Sequence, residues 1–506
     1  MTHSPGTQSP QVLVLGAGPA GLTAAYELSN SQVGSVILEK DPAVGGLART
    51  FEHNGYLFDI GGHRFHSKLA VVNRIWREVL GDDLLTRQRL SRIYYRGRFF
   101  QYPLEAMNVV RGLGLWEVAR CGASYLRSRI SPLRPADNFE SWVSNRFGRR
   151  LFEIFFRTYT EKVWGIPCKQ IHSDWASQRI RGLSLSTVAR EAIRGLIGAA
   201  PGKKLRSLIH EFQYPRLGPG MMWSRMQSLL ADRGCPTVLE SPIEKIYWEP
   251  GRVTKVLAGG RTYEAQHFIS SIPIRELIER LDPAPPEYLR AAAADFHYRD
   301  FLTVALIVRC ANVFPDNWIY VHDPSVAVGR IQNYKNWSPE MCPDQNMTGL
   351  GLEYFCFEGD GLWNASDDEL IARDRREVAQ LGLAQEDSIV DAKVLRVRKA
   401  YPIYDESYQR GVRAIRQFLD GIGNLQLIGR NGMHRYDNQD HAMLTGILAA
   451  RNILGARYNL WDLCVGDGHH EEGDEITDGD LEALEADQPL MPSLTPSATN
   501  LDLLQS

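Results

Sequence analysis

Two short apolar runs near the N-terminus flank a glycine-rich stretch. Residues 11–15 (QVLVL) and 35–40 (SVILEK) have the continuous apolar character of buried strands. Between them, residues 22–28 follow the apolar spacing of a helix. Strand, helix and strand in this order predict a βαβ unit within residues 1–60.

Beyond this unit, the pattern alternates between helical and strand-rich regions. Residues 105–235 have mainly helical spacing, whereas 237–272 predict hairpin strands and a strand that returns to the first domain. A strand-rich region follows from 300 to about 400, and 424–430 predict a strand that enters a loop before another helix. From residue 466 the chain is acidic and then rich in Ser, Thr and Pro, which predicts a disordered tail.

Composition narrows the classes of protein that these elements could form. The net charge of −3 gives no overall basic field for nucleic acid or an anionic membrane, so any anion site must be a local cluster. No apolar run reaches the roughly 20 residues needed to span a bilayer, and the polar N-terminus does not resemble a secretory signal. The seven cysteines are dispersed without a CxxC pair, which predicts reduced thiols, no metal site and a cytoplasmic location.

Residues 15–28 (LGAGPAGLTAAYEL) carry the first chemical motif. Gly16, Gly18 and Gly21 stand in GxGxxG spacing between a strand and a helix, where a tight turn, close approach of a pyrophosphate and close packing each require glycine. The position of Glu39 at the end of the second strand suits a carboxylate that accepts hydrogen bonds from a ribose. A glycine turn without a ligand is disfavoured by this context. The predicted cofactor contacts also include Pro19, Ala20 and Lys40.

Residues 39–50 (EKDPAVGGLART) distinguish FAD from NAD. They resemble the second glycine signature of the glutathione-reductase-like flavoproteins, which include amine oxidases, phytoene desaturases and protoporphyrinogen oxidases. The resemblance implies that Gly45, Gly46 and Leu47 pass the pyrophosphate and that Arg49 reaches phosphate or ribityl. A third cofactor segment, LQLIGRNGMHRYDNQDHAM, would supply Gly429, Arg430 and Asn438.

The chain is therefore predicted to be an α/β protein with a Rossmann-type, glutathione-reductase-like FAD-binding domain. A helical insertion domain and an antiparallel β-sheet substrate domain interrupt it. The predicted spans are 10–104 for the first part of the FAD-binding domain, 105–235 for the helical substrate or cap domain, 236–275 for the return strands, 276–422 for the β-sheet domain, 423–465 for the last FAD-binding part and 466–506 for the tail.

Further motifs, in the same order over most of residues 10–455, resemble those of UDP-galactopyranose mutases. They are GGHRFHSK (61–68), RGRFFQYPL (96–104), FFRTYTEKVWGIP (155–167), YRDFLTV (298–304), AYPIYDE (400–406) and GRNGMHRYDNQDHAM (429–443). The resemblance implies a non-redox interconversion of pyranose and furanose forms of a nucleotide-diphosphate sugar, with N5 of reduced flavin as the nucleophile at the anomeric carbon. NAD(P)H or another reductant would then reduce the FAD.

The resemblance also implies roles for particular side chains. His66 would lie against the flavin with Gly62 and His63 beside it, although local hydrogen bonding explains His63 equally well. It assigns Tyr159 and Trp164 to the sugar pocket, and Tyr401 and Tyr436 to the diphosphate. Arg299 is the favoured arginine for the diphosphate, and Arg179 and Arg181 are further candidates for substrate. Lys162, which is harder to bury than the aromatic residues around it, suggests a partner anion.

Departures from the mutase pattern keep a second interpretation open. Asn438 stands where the family has an acidic residue, His434 replaces a tyrosine, and the helical insertion is longer and richer in arginine. The same fold hosts amine oxidases, desaturases and protoporphyrinogen oxidases, so the alternative is an FAD-dependent oxidoreductase that abstracts hydride. The apolar spacing within 105–130 fits either a helix that faces lipid or one that packs in a core.

Overall fold

The computed structural model describes residues 10–102, 104, 106–173, 211–405, 408–461, 463 and 476–482. The strands are β1 Val12–Leu15, β2 Ser35–Leu38, β3 Thr50–His53, β4 Tyr56–Asp59, β5 Leu84–Gln88, β6 Ser91–Tyr95, β7 Arg98–Gln101, β8 Glu211–Pro215, β9 Thr237–Val238, β10 Ile243–Glu249, β11 Arg252–Ala258, β12 Arg261–Glu264, β13 His267–Ser270, β14 Leu281–Asp282, β15 Tyr298–Val308, β16 Trp318–Val321, β17 Arg330–Asn333, β18 Thr348–Cys356, β19 Ile389–Pro402 and β20 Leu425–Leu427. The helices are α1 Pro19–Asn30, α2 Ala70–Leu80, α3 Ala106–Leu113, α4 Leu115–Ile130, α5 Phe139–Phe147, α6 Arg149–Phe152, α7 Thr158–Trp164, α8 Gly220–Asp232, α9 Ile274–Arg280, α10 Glu287–Ala294, α11 Tyr334–Trp337, α12 Asp367–Gln380, α13 Tyr408–Leu419, α14 Gly429–Gly432, α15 Gln439–Ile453 and α16 Asp478–Glu482.

A five-stranded sheet in the order β20-β13-β1-β2-β9 forms the first structural unit. All of its neighbouring strands are parallel, and every residue of β1 is buried, as the continuous apolar runs predict. Helix α1 packs against α15 so closely that a Cβ atom on Gly446 would collide with the backbone carbonyl of Ala20. The predicted βαβ unit is confirmed, and its sheet is completed by strands from three distant parts of the chain.

The second unit is a seven-stranded sheet in the order β19-β15-β18-β17-β16-β6-β7. Its long strands β15 and β18 are buried along their whole length, which explains the strand-rich region predicted from residue 300. Strands β6 and β7 join this sheet and not the parallel one, so the predicted bound at residue 104 is wrong for them. The pairing of β6 with β16 is a long-range contact that no local pattern signals.

A group of helices packs against the seven-stranded sheet, in part on β6 and β7. Helices α3 to α7 occupy residues 106–164, and a π-helical turn at Glu153–Arg157 separates α6 from α7. The segment predicted to be mainly helical also contains β8, which pairs with β5. Among the helices in the described ranges, none is both long and apolar enough to cross a membrane.

A short piece of the predicted tail is ordered against the body of the protein. The backbone N–H of Ile476 donates to the carbonyl of Lys68, and its carbonyl accepts from the N–H of Ala70. Asp478 at the start of α16 forms an ion pair with Arg74. The prediction of disorder from residue 466 onward is therefore wrong for residues 476–482, because one apolar residue and one carboxylate find partners next to α2.

Candidate active site

A cleft open to solvent lies against the seven-stranded sheet, and the empty space in it, its open mouth included, is about 1150 Å³. One wall is the hairpin of β16 and β17, and the opposite side is the segment around residues 60–66. The end of β19 and the start of α15 complete it. The lining residues that bear on its chemistry are Leu47, Gly62, His63, Arg64, His66, Tyr320, Arg330, Gln332, Tyr401, Arg430, Tyr436, Asn438 and Gln439.

The glycine turn between β1 and α1 leaves a bare backbone surface at the helix N-terminus. Gly18 is the N-cap of α1, and among the described residues no side chain caps this helix. A Cβ atom on Gly46 would lie 3.2 Å from the Cα of Gly18, so the two glycine segments approach without side chains between them. Unpaired N–H groups and the positive end of a helix dipole fit an anion, here a pyrophosphate. Gly16, Pro19, Ala20 and Gly21 build this turn, and a Cβ atom on Gly21 would collide with the carbonyl of Gly16.

Glu39 stands at the end of β2 beside this turn. Its carboxylate accepts hydrogen bonds from the N–H of Ala17, at 2.7 Å, and from the N–H of Asp41, at 3.0 Å. Each carboxylate oxygen has a further lone pair for a ribose hydroxyl. Lys40 is exposed, and Arg49 forms an ion pair with Asp41 at 3.0 Å. Arg49 Nε is buried with no hydrogen-bond partner in the described part of the chain, so this donor is available to a cofactor oxygen.

The segment GGHRFH is fixed by the one apolar residue within it. Phe65 stacks on Trp76 with ring centroids 3.8 Å apart, and its backbone pairs with Gln213. Because side chains alternate in extended backbone, anchoring Phe65 in the core turns its neighbours, including His66, towards the cleft. His66 lines the cleft and is exposed. His66 thus faces the cleft, and its contact with the flavin stays a prediction.

Gly62 is required by the side chain that faces it. A Cβ atom here would lie 2.5 Å from Nε2 of Gln332, which is buried in the cleft wall and donates to Glu353. Oε1 of Gln332 has no hydrogen-bond partner among the described residues. A buried acceptor without a partner is costly, so this amide is suited to receive a hydroxyl or N–H group of a ligand.

His63 is neutral in this environment. Its Nε2 lies 2.6 Å from the carbonyl oxygen of Ile60, so this nitrogen carries a proton and donates it. Burial, with the nearby guanidinium groups of Arg430 and Arg330, lowers the pKa of His63 to about 4. The local hydrogen bond that the sequence allowed for His63 is present, and the residue also lines the cleft.

A buried carboxyl network lies beneath the same segment. Asp59 accepts hydrogen bonds from the Tyr214 hydroxyl and, at 2.9 Å, from the Thr50 hydroxyl. Its backbone carbonyl accepts from Tyr334 at 2.9 Å. Burial raises the pKa of Asp59 to about 7. This network fixes the chain two residues before the Gly-Gly pair.

The third predicted cofactor segment returns to the cleft through α14 and α15. Gly429 has a φ of +74°, and a Cβ atom there would lie 2.9 Å from that of Ala20. Arg430 donates to the carbonyls of Asp437 and Ala400, at 2.8 and 2.9 Å. Asn438 is the N-cap of α15 and lines the cleft. The segment thus brings a second helix N-terminus to the site.

Two tyrosines from different elements form a stack at the cleft. The rings of Tyr401 and Tyr436 lie 5.5 Å apart at 12°, and the Arg430 guanidinium is 4.9 Å from the Tyr436 ring. Burial, with Tyr436 beside it, raises the pKa of Tyr401 to about 12. Trp164 packs 6.3 Å from Tyr401 and is buried behind the pair, so it supports this surface without lining it.

Arg330 is the cationic residue of the cleft that the sequence motifs did not reveal. It begins β17 and binds Glu353 of β18, with Nε donating at 2.6 Å to a carboxylate that is fully buried. Burial alone would lower the pKa of Arg330, but Glu353 holds it well above its usual value. The one available signal was Glu353 itself, an isolated charge inside the apolar strand LGLEYFC.

The role assigned to Arg299 requires correction. This side chain is only 5% exposed and does not line the cleft. Its guanidinium donates to the carbonyls of Val163, Lys162 and Phe355, at 3.0, 3.2 and 2.7 Å. Two of these carbonyls belong to the last turn of α7, where a cation satisfies acceptors that the helix leaves unpaired. Arg299 therefore lies behind the site as a helix cap.

Lys162 does not meet a partner anion either. Its Nζ donates to the carbonyl of Val321 at the end of β16, at 3.3 Å, and to those of Asp323 and Val328 in the loop between β16 and β17, at 2.5 and 3.2 Å. Burial lowers the pKa of Lys162 to about 8. From the other side, Glu377 of α12 accepts the N–H groups of Ala327 and Val328, at 3.0 and 2.9 Å. The hairpin that carries Arg330 is thus held from both sides.

Tyr159 lies one layer behind the cleft wall. Its ring stacks on His322 with centroids 4.6 Å apart and meets the edge of Tyr320, which lines the cleft. Burial holds the pKa of Tyr159 well above its usual value, so the phenol stays protonated. Arg179 and Arg181 lie outside the described residues.

Comparison with known proteins supports the same architecture. Two family models match: the NAD(P)-binding Rossmann-like domain over residues 14–79 and the flavin containing amine oxidoreductases over residues 208–454. These two matches indicate the superfamily of FAD-dependent amine oxidases. FAD is accordingly its cofactor, and the glycine turns, Glu39 and the uncapped α1 fit that group.

Solved structures show how widely this superfamily fold is shared. A crystal structure of reduced UDP-galactopyranose mutase aligns with a TM-score of 0.76 at 22% identity, covering 88% of this chain and 94% of that one. A structure of putrescine oxidase bound to putrescine aligns with a TM-score of 0.57 at 16% identity, covering 88% of this chain and 99% of that one. A ferredoxin–NADP reductase of Gluconacetobacter diazotrophicus is 30% identical over 143 residues, 28% of this chain and 41% of the relative. The matches span between 9% and 57% of the length of the curated relatives.

Proposed function

We propose that this FAD-dependent enzyme interconverts the pyranose and furanose forms of a nucleotide-diphosphate sugar without net oxidation. The observation that carries the proposal is the lining of the cleft. It combines the guanidinium groups of Arg64, Arg330 and Arg430 with the stacked ring pair of Tyr401 and Tyr436. Cations bind the diphosphate, and aromatic faces suit a sugar or a base.

The competing substrates of the superfamily fit this lining less well. An amine substrate is a cation, and it would enter a cleft lined by three guanidinium groups and one carboxylate, that of Asp440; of the three, Arg330 is already paired with Glu353. A carotenoid-like substrate is apolar, and it would leave buried polar atoms such as Oε1 of Gln332 without partners. A nucleotide-diphosphate sugar suits both features of the cleft. Its dianionic diphosphate can pair with the guanidinium groups, and its sugar hydroxyls can bond to buried polar atoms such as Oε1 of Gln332.

The side chains then divide the work of binding and orientation. Arg330 and Arg430 hold the diphosphate, while Gln332 accepts a hydroxyl of the ligand. His63 stays neutral at pH 7 because its pKa is about 4, so it adds no charge beside the reacting carbon. His66 lies at the exposed end of the cleft, where it can accept or donate one proton near the cofactor. Reduced FAD, when bound, supplies the nucleophilic N5 towards the anomeric carbon.

The deciding experiment uses holoenzyme that has been reduced with dithionite and kept under nitrogen without an acceptor. It is mixed with a panel of uridine, guanosine and thymidine diphosphate sugars, and the ring forms are separated by chromatography. We expect more than one product molecule per flavin with at least one sugar. Turnover that requires oxidised enzyme and an added acceptor would instead assign hydride abstraction.

Nucleotide binding provides a second test with a matched control. Arg330→Lys keeps the charge but loses the planar fork, so affinity for the free nucleoside diphosphate should fall roughly ten- to hundredfold. Arg92→Lys is the control, because Arg92 also pairs with a fully buried carboxylate, Asp316, in the same sheet but outside the cleft. Equal losses in both variants would mean that Arg330 has no particular role in binding.

A further inference from the structure

Helix α4 presents an apolar face away from the protein. Leu115, Trp116, Leu126 and Ile130 are between 62% and 86% exposed. Ala123 is exposed on the same side, at helical spacing between Trp116 and Ile130. Single exposed apolar residues are ordinary, but a stripe of large ones along one helix marks an interaction surface.

The opposite face of α4 is the one that packs, through the buried Cys121 and through several polar contacts. Ser124 accepts a hydrogen bond from the backbone N–H of Arg150 at 3.0 Å, and Glu117 forms an ion pair with the side chain of Arg150. Gly148 packs closely on the helix, since a Cβ atom at Gly148 would lie 2.8 Å from the backbone nitrogen of Tyr125. The helix is therefore already seated on the protein, and its outward apolar stripe has no role in that seat.

Positive charge surrounds the stripe. Residues 106–137 contain five arginines and only two acidic residues, although the whole chain has a net charge of −3. Arg111, Arg127, Arg129 and Arg134 are all exposed. Arg127 and Arg129 alternate with the apolar residues in the last turns of α4. Apolar side chains flanked by arginine are the pattern of a helix that lies in the headgroup region of an anionic bilayer.

We propose that α4 docks this protein on the surface of a membrane that contains anionic lipid. The helix lies in the plane of the interface, with Leu115, Trp116, Leu126 and Ile130 inserted at the level of the acyl chains and the arginines among the headgroups. This proposal does not depend on the reaction in the cleft. The net charge of the whole chain is negative, but the arginines in residues 106–137 form a local positive cluster that can still attract anionic lipid.

Flotation with lipid vesicles tests this with the full-length holoenzyme. The vesicles are phosphatidylcholine alone or phosphatidylcholine with phosphatidylglycerol, at low and at high salt. We expect binding to the anionic vesicles that weakens as salt screens the arginines. Trp116→Ser with Ile130→Ser should reduce binding by roughly tenfold or more for each side chain, because each withdraws a large apolar group from the bilayer.

Two further variants make the result specific. Tyr288→Ser with Val390→Ser alters exposed apolar residues elsewhere and should bind as the unaltered protein does. Arg127→Gln with Arg129→Gln should weaken binding to anionic vesicles while flavin content and far-UV circular dichroism stay unchanged. This charge variant also keeps the test valid if the serine variant fails to fold.

Three outcomes would overturn the proposal. They are absence of binding to anionic vesicles, binding that none of the α4 variants alters, and a dimer in light scattering that the serine variant converts to a monomer without any vesicle binding. The last outcome would assign the stripe to a second copy of the chain.

Discussion

Replacing Arg299 with alanine should damage stability far more than it damages nucleotide binding. The guanidinium is the donor to three backbone carbonyls, and a buried acceptor left without a partner costs about 1–3 kcal/mol. With three such acceptors, the free energy of unfolding should fall by about 3 kcal/mol even at the lower limit of this range. The variant also removes the contact with Phe357, whose ring lies 4.1 Å from the guanidinium carbon.

The assay compares two quantities on the same preparations. Urea unfolding followed by far-UV circular dichroism gives the free energy of unfolding, and titration with a nucleoside diphosphate under folding conditions gives the affinity. We expect the affinity to change by less than about threefold, since no part of Arg299 lines the cleft. Arg299→Lys should recover part of the stability, because an ammonium group can still reach one or two of the carbonyls. Unchanged stability together with a tenfold loss of affinity would refute the helix-cap role.

Three other predictions concern the cofactor turn, the buried carboxyl and the exposed histidine. Gly18→Val should yield folded protein without flavin, measured by absorbance at 450 nm, because its side chain enters the pyrophosphate position; Gly34→Ala, where nothing lies within 4 Å, is the control that keeps its flavin. Because the pKa of Asp59 is raised to about 7, the carboxyl binds more protons in the folded state, so stability should fall as pH rises from about 4 to 7. Asp59→Asn should flatten that profile in urea unfolding, and an unchanged slope would contradict the assignment. His66→Ala should keep its FAD and fold yet lose most activity in the anaerobic, pre-reduced assay; full activity would remove His66 from the reaction.

Sequence reasoning succeeded where a short stretch determines its own structure. The strand that ends at Leu15, the glycine turn and helix α1 follow one another within twenty residues, and each is specified by its neighbours. The placement of His66 beside the cleft also follows from a local motif, GGHRFH. The backbone of the glycine turn is fixed by contacts close in the chain, whereas the segment GGHRFH is also held by the pairing of Phe65 with the distant Gln213.

It failed where a side chain's partner comes from a distant strand. Arg299 is the second residue of strand β15, but the direction of its side chain is set by the end of α7, more than a hundred residues earlier. Lys162 was expected to meet an anion, and it meets carbonyls of a loop that starts near residue 321. Arg330 acquires its position only through the pairing of β17 with β18, which brings Glu353 opposite it. No pattern within one segment contains this information.

The order of strands in the parallel sheet has a consequence for biosynthesis. A ribosome releases β1 and β2 first, but β13 and β20, on the other side of β1, emerge more than 200 and 400 residues later. Helix α15, whose Gly446 packs on the helix that follows the glycine turn, is among the last described elements to appear. The parallel sheet can therefore be completed only after most of the chain has been released, and until then β1 has an unpaired edge on that side.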